Sequence, residues 1–213
     1  MSEPVLLIDN PAPKVRRFTL NRPEKRNALN DDLRGALFDA LRDGDKARDV
    51  SVMIIRGAGS AFCAGYDLGS PNSDVERAIS RADGWWSRHV VNNWFEMWDM
   101  STPIIAQVHG YCLAGGTELA TACDLVYVAQ DAKIGYPPVR LMSPPDMQWQ
   151  TWLMGLRQGM EALLTGDSMS GVDAVTHGFA NRAHPVDELD GAVLAMAQRI
   201  AKVPADLLAL NKR

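Results

Sequence analysis

Short runs of apolar and β-branched residues alternate with segments of helical periodicity along this chain, and this alternation restricts the fold more than any other feature. Ser51–Arg56, Pro103–Val108 and Leu125–Val128 are brief runs rich in Val and Ile. Such runs are typical of parallel strands that are buried on both faces. Strands that alternate with helices indicate an α/β fold with a parallel sheet.

The segments between these runs complete the predicted order of elements. A strand pair is expected at Val5–Ile8 and Val15–Leu20. Asn30 or Asp31 is a suitable N-cap for an amphipathic helix that stops near Gly44. Further helices are predicted at about 76–100, 115–123, 146–155, 158–165, 170–177 and 187–203, with a loop over 57–75 and a short strand near Phe179–Arg182.

The composition excludes several classes of protein. Lys plus Arg number 22 and Asp plus Glu 26, and the net charge of −4 offers no basic field for a nucleic acid backbone. No apolar run approaches the length of a membrane span, and the N-terminus lacks the pattern of a signal peptide. The cysteines, Cys63, Cys112 and Cys123, are odd in number, which favours reduced thiols in the cytoplasm. Since no repeat or linker divides residues 1–213, one domain in a soluble, cytoplasmic protein is expected.

Two glycine-containing segments follow predicted buried strands. The first, Gly57–Leu68, opens like a dinucleotide-binding loop, but Phe62 stands where the third glycine is required. The second, Gly110–Glu118, would turn from a strand into a helix and present the amides near Gly115 to an anionic oxygen. Glu118 lies one turn along, where it either acts beside the polarised group or satisfies a capping interaction. The spacing alone leaves both interpretations open.

Five stretches carry a resemblance that extends in order over nearly the whole chain. They are Asn21–Leu29, Phe62–Leu68, Pro103–Glu118, Cys123–Asp124 and Leu164–Asp167. Together they resemble the crotonase superfamily, the enoyl-CoA hydratase/isomerase group. This resemblance implies a crotonase (ClpP-like) spiral of ββα units, with a core over about residues 1–185 and the start of a C-terminal helical region over about 186–213. Because family chains usually continue with further helices, the C-terminal helical part is expected to be shortened.

The resemblance also implies the parts of an acyl-CoA site. Tyr66 and Gly115 would each donate a backbone N–H to the carbonyl oxygen of an acyl-CoA thioester and stabilise the enolate-like charge that forms there. Coenzyme A is part of the substrate, so no separate cofactor is expected, and the dispersed histidines form no metal-ligand pattern. The positions implied for substrate or coenzyme A binding are Arg26, Ala28, Ala64, Asp67, Leu68, Leu113 and Pro138.

The catalytic carboxylates depart from the family pattern. Glu118 matches one of the two glutamates with which typical hydratases add water across the α,β double bond, but Pro138 stands where the second is expected. Proline has no proton to give, so the mechanism with two carboxylates is incomplete. Asp146 is a candidate replacement, because the related 4-chlorobenzoyl-CoA dehalogenase has a nucleophilic aspartate at the equivalent position. Asp146 is also a suitable N-cap for a helix that begins at Met147, and the two roles are compatible.

All six tryptophans lie between Trp85 and Trp152. The resemblance implies that the helices which carry them border the acyl pocket, although tryptophans at helical spacing are ordinarily core or subunit interface. The candidates for shaping the pocket are Trp94, Trp98, Trp149 and Trp152. A homotrimer or a dimer of trimers is expected from the same resemblance.

The function predicted from these observations is that of an enoyl-CoA hydratase/isomerase-like enzyme. Glu118, Tyr66, Gly115 and Asp146 are the candidate catalytic residues. Two alternatives remain open at this stage. One is an isomerase or decarboxylase of acyl-CoA that needs a single carboxylate, and the other is a non-catalytic acyl-CoA-binding homologue.

Overall fold

The computed structural model describes residues 3–69 and 90–212. Within them, ten strands lie in two sheets. The strands are β1 (Leu6–Ala12), β2 (Val15–Leu20), β3 (Val52–Gly57), β4 (Ala61–Cys63), β5 (Ile104–Val108), β6 (Tyr111–Leu113), β7 (Leu125–Ala129), β8 (Lys133–Gly135), β9 (Ser168–Met169) and β10 (Arg182–His184).

From β3 to β8, successive strands of the chain alternate between the two sheets. The larger sheet has the order β1-β2-β3-β5-β7-β10, and the smaller has the order β4-β6-β8-β9. In the larger sheet β1 pairs antiparallel with β2 and the other pairs are parallel, while β4-β6 and β6-β8 are parallel pairs of the smaller sheet. Each of β3, β5 and β7 is therefore followed by a strand of the other sheet. This repeated step confirms the predicted spiral of ββα units and the mostly parallel α/β fold.

The helices follow the strand pairs and cover the sheets. They are α1 (Asp31–Lys46), α2 (Asn92–Asp99), α3 (Gly115–Thr121), α4 (Trp149–Leu153), α5 (Gly155–Thr165), α6 (Gly171–Thr176), α7 (Val186–Ile200) and α8 (Ala205–Lys212), with short 3-10 helices at Pro23–Lys25 and Pro137–Arg140. Within the described residues, no helix has the length and apolar character that crossing a membrane requires.

The start of α1 confirms the predicted cap. The Asn30 side chain accepts a hydrogen bond from Leu33 N at 3.0 Å, which satisfies one of the amides that a helix N-terminus leaves without a partner. The apolar stripe of α1, including Leu37 and Leu41, is buried against β1 and β2. Helix α1 continues to Lys46, two residues beyond the predicted stop at Gly44.

Several predicted boundaries are wrong. Residues 57–75, expected as a loop, contain β4, because a strand of three residues carries no periodic signal. The strand expected at Phe179–Arg182 lies at Arg182–His184. The helix expected over 146–155 begins at Trp149, and the one expected at 158–165 begins at Gly155. Of the helix predicted at 76–100, residues 76–89 lie outside the described residues.

Helix α7 packs on the six-stranded sheet and connects several of its strands. Its buried face contacts β3, β5, β7 and β10. On the same helix, Asp190 Oδ1 accepts hydrogen bonds from Arg17 Nη1, Arg56 Nη1 and Gln107 Nε2 at 3.0–3.2 Å. These bonds join three strands of the sheet to one carboxylate.

Candidate active site

The segment that follows β2 runs alongside the loop that follows β4. Leu29 N donates to Gly65 O at 2.8 Å, Asp67 N donates to Leu29 O at 3.0 Å, and Ala64 N donates to Arg26 O at 3.0 Å. This bridge brings the predicted coenzyme A positions Arg26, Ala28, Ala64 and Asp67 side by side. Leu68, the next residue, is 61% exposed and lies at the outer edge of the group.

The side chain of Asn27 stabilises this arrangement by hydrogen bonds in the interior. Its side chain is fully buried, accepts a hydrogen bond from Arg22 N at 2.9 Å and donates to Ala58 O and Ala61 O at 2.9 and 2.8 Å. Its φ of 56° lies in the left-handed region, which asparagine tolerates better than most residues. One amide side chain therefore connects the segment after β2 to the segment between β3 and β4.

Arg22 links the segment after β2 to the loop after β4 by charge. Its Nη2 donates to Asp67 Oδ2 at 2.8 Å, and its Nη1 donates to Ala28 O at 2.5 Å. The hydrogen bond from Arg22 lowers the pKa of Asp67. The Arg26 guanidinium and the Lys133 ammonium lie 5.0 and 5.7 Å from the centroid of the Tyr111 ring, so both cations approach one aromatic side chain. The sequence analysis identified Arg26 and missed Lys133, which β8 brings next to β6.

The two glycine-containing loops converge. A Cβ added to Gly65 would lie 2.7 Å from Ala114 Cβ and 3.3 Å from Gly115 N. A Cβ added to Gly115 would lie 2.8–3.0 Å from ring atoms of Tyr66. Both glycines are therefore required by close approach. The structure brings the two predicted amide donors, Tyr66 and Gly115, onto chain segments that contact each other, with Leu113 half-buried beside them.

Glu118 extends from α3 into a group of polar residues that also contains Tyr66, Tyr136 and Asp146 and that we call the Glu118 cluster. Glu118 has no exposed surface. Its Oε2 accepts a hydrogen bond from Tyr66 Oη at 2.5 Å, its Oε1 accepts one from Asp146 N at 2.8 Å, and Tyr136 also hydrogen-bonds to the carboxylate. Trp94 Nε1 donates to Tyr66 Oη at 3.1 Å. Because these partners come from other segments of the chain, the capping interpretation of Glu118 is wrong.

Burial has a large effect on this carboxylate. Desolvation, reinforced by the negative charge of Asp146, raises the pKa of Glu118 from 4.5 to about 7, although the hydrogen bonds from Tyr66, Asp146 N and Tyr136 lower it. Burial, together with the negative charges of Glu118 and Asp146, raises the pKa of Tyr66 well above its usual value. A carboxyl group poised near neutral pH is suited to general acid or base catalysis.

Comparison with known proteins places this geometry in a family. A sequence model described as enoyl-CoA hydratase/isomerase matches residues 12–213. The chain belongs to the enoyl-CoA hydratase/isomerase family. A probable enoyl-CoA hydratase of Rhizobium meliloti is 33% identical over 98% of this chain and 80% of its own length. A probable mitochondrial enoyl-CoA hydratase of Dictyostelium discoideum is 32% identical over 93% of this chain and 71% of its own length.

Solved structures of the family share the fold. A probable enoyl-CoA hydratase from Mycobacterium smegmatis superposes with a TM-score of 0.87 at 32% identity, covering 98% of this chain and 83% of that one. An enoyl-CoA hydratase from Bacillus anthracis gives the same TM-score at 28% identity, covering 98% of this chain and 81% of that one. The crotonase-type architecture expected from the sequence is therefore confirmed.

Asp146 is not the helix cap that the sequence suggested. Helix α4 begins at Trp149, and its N-cap residue is Gln148, whose side chain makes no capping hydrogen bond. Instead the backbone of Asp146 donates to Glu118, and its Oδ2 lies 3.4 Å from Tyr66 Oη. Asp146 is exposed, so its carboxylate connects the buried group to the surface.

The segment around Pro138 contacts Glu118 through a different residue. Pro138 is half-buried in the 3-10 helix Pro137–Arg140, and its carbonyl oxygen accepts hydrogen bonds from the backbone of residues 141–143. Tyr136, two residues earlier, hydrogen-bonds to Glu118 and to Ser143. Sequence reasoning missed Tyr136, because nothing in the Gly135-Tyr136-Pro137-Pro138 pattern distinguishes a side chain that contacts the carboxylate from ordinary core.

The tryptophans have different environments. Trp94 is fully buried and contacts both Tyr66 and Phe38, with ring centroids of Phe38 and Trp94 5.1 Å apart. Trp149 is buried and packs edge-on against Phe179. Trp98 and Trp152 are 46% and 86% exposed. Of the four candidates named from the sequence, Trp94 is thus the one that contacts the Glu118 cluster among the described residues.

Proposed function

We propose that this chain is an enoyl-CoA hydratase-like enzyme that stabilises the enolate form of an acyl-CoA thioester. The observation that carries the proposal is the buried Glu118 carboxylate, hydrogen-bonded at the meeting point of the two glycine-containing loops. Membership of the enoyl-CoA hydratase/isomerase family supports the same chemistry. Hydro-lyase activity follows as the reaction, with coenzyme A as part of the substrate and no separate cofactor.

The Tyr66 and Gly115 amides are proposed as the donors to the thioester oxygen. Their segments contact each other, as the approach of Gly65 to the Gly115 nitrogen indicates. Removing one donor of this kind typically costs about 3 kcal/mol of transition-state stabilisation. The backbone is a suitable source of such donors because two packed loops hold it in place before the substrate binds.

Glu118 is proposed as the group that activates water. With a pKa of about 7, a large fraction of it is ionised at neutral pH and can accept a proton from a water molecule that attacks the enoyl Cβ. Pro138 has no proton to supply at the position of the second glutamate, so the second proton function must come from another group. Asp146 lies beside Tyr66 and Glu118 and is a candidate for this second proton function.

Coenzyme A is proposed to bind along the joined segments 26–29 and 64–68. Arg26 and Lys133 bring two positive charges to the Tyr111 ring, and phosphate groups bind such cations. Arg22 is engaged with Asp67 and Ala28 O, so it supports the segment. Ala28, Ala64, Asp67, Leu68, Leu113 and Pro138 remain the proposed contact positions.

A second copy of this chain is proposed to cover the surface formed by α4, α5 and the 3-10 helix Pro137–Arg140. These elements pack against each other. Leu141, Trp152, Leu156 and Leu164 are 94%, 86%, 69% and 77% exposed there. Apolar side chains in such a group are typical of subunit interfaces, which supports the homotrimer or dimer of trimers. The buried free thiols Cys63, Cys112 and Cys123 support the cytoplasm as the location.

Turnover of crotonyl-CoA tests the function. Loss of the enoyl absorbance, with formation of the 3-hydroxy product confirmed by mass spectrometry, is expected for the wild type. Glu118→Gln should lower kcat by at least about 100-fold, because it removes the base. Glu3→Gln makes the same change at an exposed position before β1, away from the site and the proposed interface, and should retain the wild-type rate.

Other outcomes would replace the proposal. Double-bond migration or loss of CO2 from a suitable acyl-CoA, with no hydration, would favour the enzymes that need one carboxylate. Equal inactivity of wild type and Glu118→Gln, with binding of coenzyme A thioesters retained, would favour a non-catalytic acyl-CoA binder.

A further inference from the structure

The hydroxyl group of Tyr66 lies at the centre of the Glu118 cluster. Its Oη lies 2.5 Å from Glu118 Oε2, 3.1 Å from Trp94 Nε1 and 3.4 Å from Asp146 Oδ2. The proposed oxyanion hole uses the backbone N–H of Tyr66 and leaves this hydroxyl without a chemical role. A phenol both donates and accepts hydrogen bonds, so it can pass a proton between neighbours.

The Tyr66 ring lies beside the proposed oxyanion site. Ring atoms of Tyr66 lie 2.8–3.0 Å from the place that a Cβ of Gly115 would occupy. Gly115 carries one of the two amides proposed to hold the thioester oxygen. The phenol therefore borders the space between the proposed oxyanion site and Glu118, and the enoyl carbons of a bound thioester must lie in that space if Glu118 is to activate water.

We propose that Tyr66 Oη is the catalytic proton donor of this site and supplies, in partnership with Glu118, the proton function that Pro138 cannot supply. This inference rests on the proposed function. It assigns the second proton to a side chain that comes from the first glycine-containing loop, and it gives Asp146 a supporting part.

The step balances with these two side chains alone. Glu118 removes a proton from water as the water oxygen forms a bond to the enoyl Cβ. The Oη–H bond of Tyr66 breaks, and its proton forms the new C–H bond at Cα. The proton held by Glu118 then moves to the Tyr66 oxygen across the hydrogen bond that joins Oη to the carboxylate. Water has been added, and both side chains regain their starting protonation states.

The surroundings suit such a donor. Burial and the charges of Glu118 and Asp146 raise the pKa of Tyr66, so the phenol keeps its proton until an enolate forms. The Trp94 N–H donates to Oη and lowers that pKa, so it stabilises the oxygen while the proton leaves. Asp146 is less suited to give the proton itself. It is exposed, and the atom that contacts Glu118 is its backbone nitrogen.

Tyr66→Phe tests the inference, because it removes the hydroxyl and keeps the ring against Gly115. The expected result is a fall in kcat for crotonyl-CoA of about 100-fold or more, with KM changed by less than about threefold. Tyr127→Phe removes a buried tyrosine hydroxyl in β7 and should retain the wild-type rate. The double variant with Glu118→Gln should be no slower than Glu118→Gln alone, since the two groups act as a unit.

Two further measurements separate proton donation from a structural role. In mixtures of H2O and D2O, the wild-type rate should depend on the deuterium fraction along a curve, because two protons move, and the rate of Tyr66→Phe along a straight line. Incorporation of 3-fluorotyrosine at position 66 lowers the phenol pKa with little change in shape, and it should change kcat. A purely structural tyrosine would leave kcat unchanged in this substitution.

The outcomes distinguish this inference from the proposed function. A wild type that hydrates crotonyl-CoA, with Tyr66→Phe within threefold of its kcat, would overturn the role of Tyr66 and leave the proposed function intact. A wild type that neither hydrates enoyl thioesters nor exchanges the α-protons of butyryl-CoA with D2O would overturn both. If Tyr66→Phe fails to fold, an unchanged kcat in the 3-fluorotyrosine protein would overturn the inference.

Discussion

Replacing Glu118 with glutamine should make the folded protein more stable while it removes activity. The native environment raises the pKa of Glu118 from 4.5 to about 7, so between these pH values the folded state holds a proton that the unfolded state releases. The free energy of unfolding therefore falls as the pH rises through this range. Above pH 7, this shift in the pKa of Glu118 lowers the free energy of unfolding by about 3 kcal/mol.

Glutamine is close in shape to glutamate and carries no charge, so it removes this cost. Its carbonyl oxygen can keep one of the hydrogen bonds from Tyr66 Oη and Asp146 N, and its NH2 group matches the other less well. We subtract about 1 kcal/mol for the poorer hydrogen bond. The expected net gain at pH 8 is about 2 kcal/mol, and below pH 4.5 the gain should disappear.

Urea denaturation followed by tryptophan fluorescence, at fixed protein concentration and at intervals from pH 4.5 to pH 8, measures this difference. The curves of the wild type and Glu118→Gln should diverge as the pH rises. Glu3→Gln serves as the control, because it makes the same substitution at an exposed position before β1. If wild type and Glu118→Gln keep a constant difference across the whole range, then burial does not perturb Glu118 and the argument for its role near neutral pH is refuted.

Two further predictions follow from the packing of glycine and leucine residues. Gly115→Ala would place its Cβ 2.8–3.0 Å from the Tyr66 ring, so a loss of kcat of at least about 100-fold is expected, and wild-type kinetics would contradict the close approach. Leu164→Glu introduces a charge into the proposed interface, where Leu164 is 77% exposed, so light scattering should show a smaller assembly than the wild type forms, and an unchanged mass would argue against this surface.

The central strands could be predicted because their signal is local. β3 and β5 are buried on both faces, so each is a continuous apolar run that is recognisable without knowledge of its neighbours. By contrast β4, β6 and β8 have three residues each and exist through pairing with one another in the second sheet. A strand that short has no periodicity of its own, so residues 61–63 were expected as loop.

The candidate site was predictable to a similar degree. The resemblance identified Glu118 and the backbone of Tyr66 and Gly115 by their positions in two motifs, and the structure brings them together. It did not reveal Tyr136 or the hydroxyl of Tyr66. Asp146 was interpreted in part as a helix cap because two prolines precede it, whereas α4 begins three residues later, at Trp149.

The amino-acid sequence by itself determined the order of the central buried strands and of most helices, the family and the identity of one candidate catalytic carboxylate, because these depend on local patterns and ordered motifs. Only the tertiary structure decided the chemical state of that carboxylate. Tyr66 and Asp146 are 52 and 28 residues away from Glu118 along the chain, and packing alone brings their hydrogen bonds and charge to it. A pKa depends on burial and on neighbouring charges in space, and neither is encoded in the spacing of a motif.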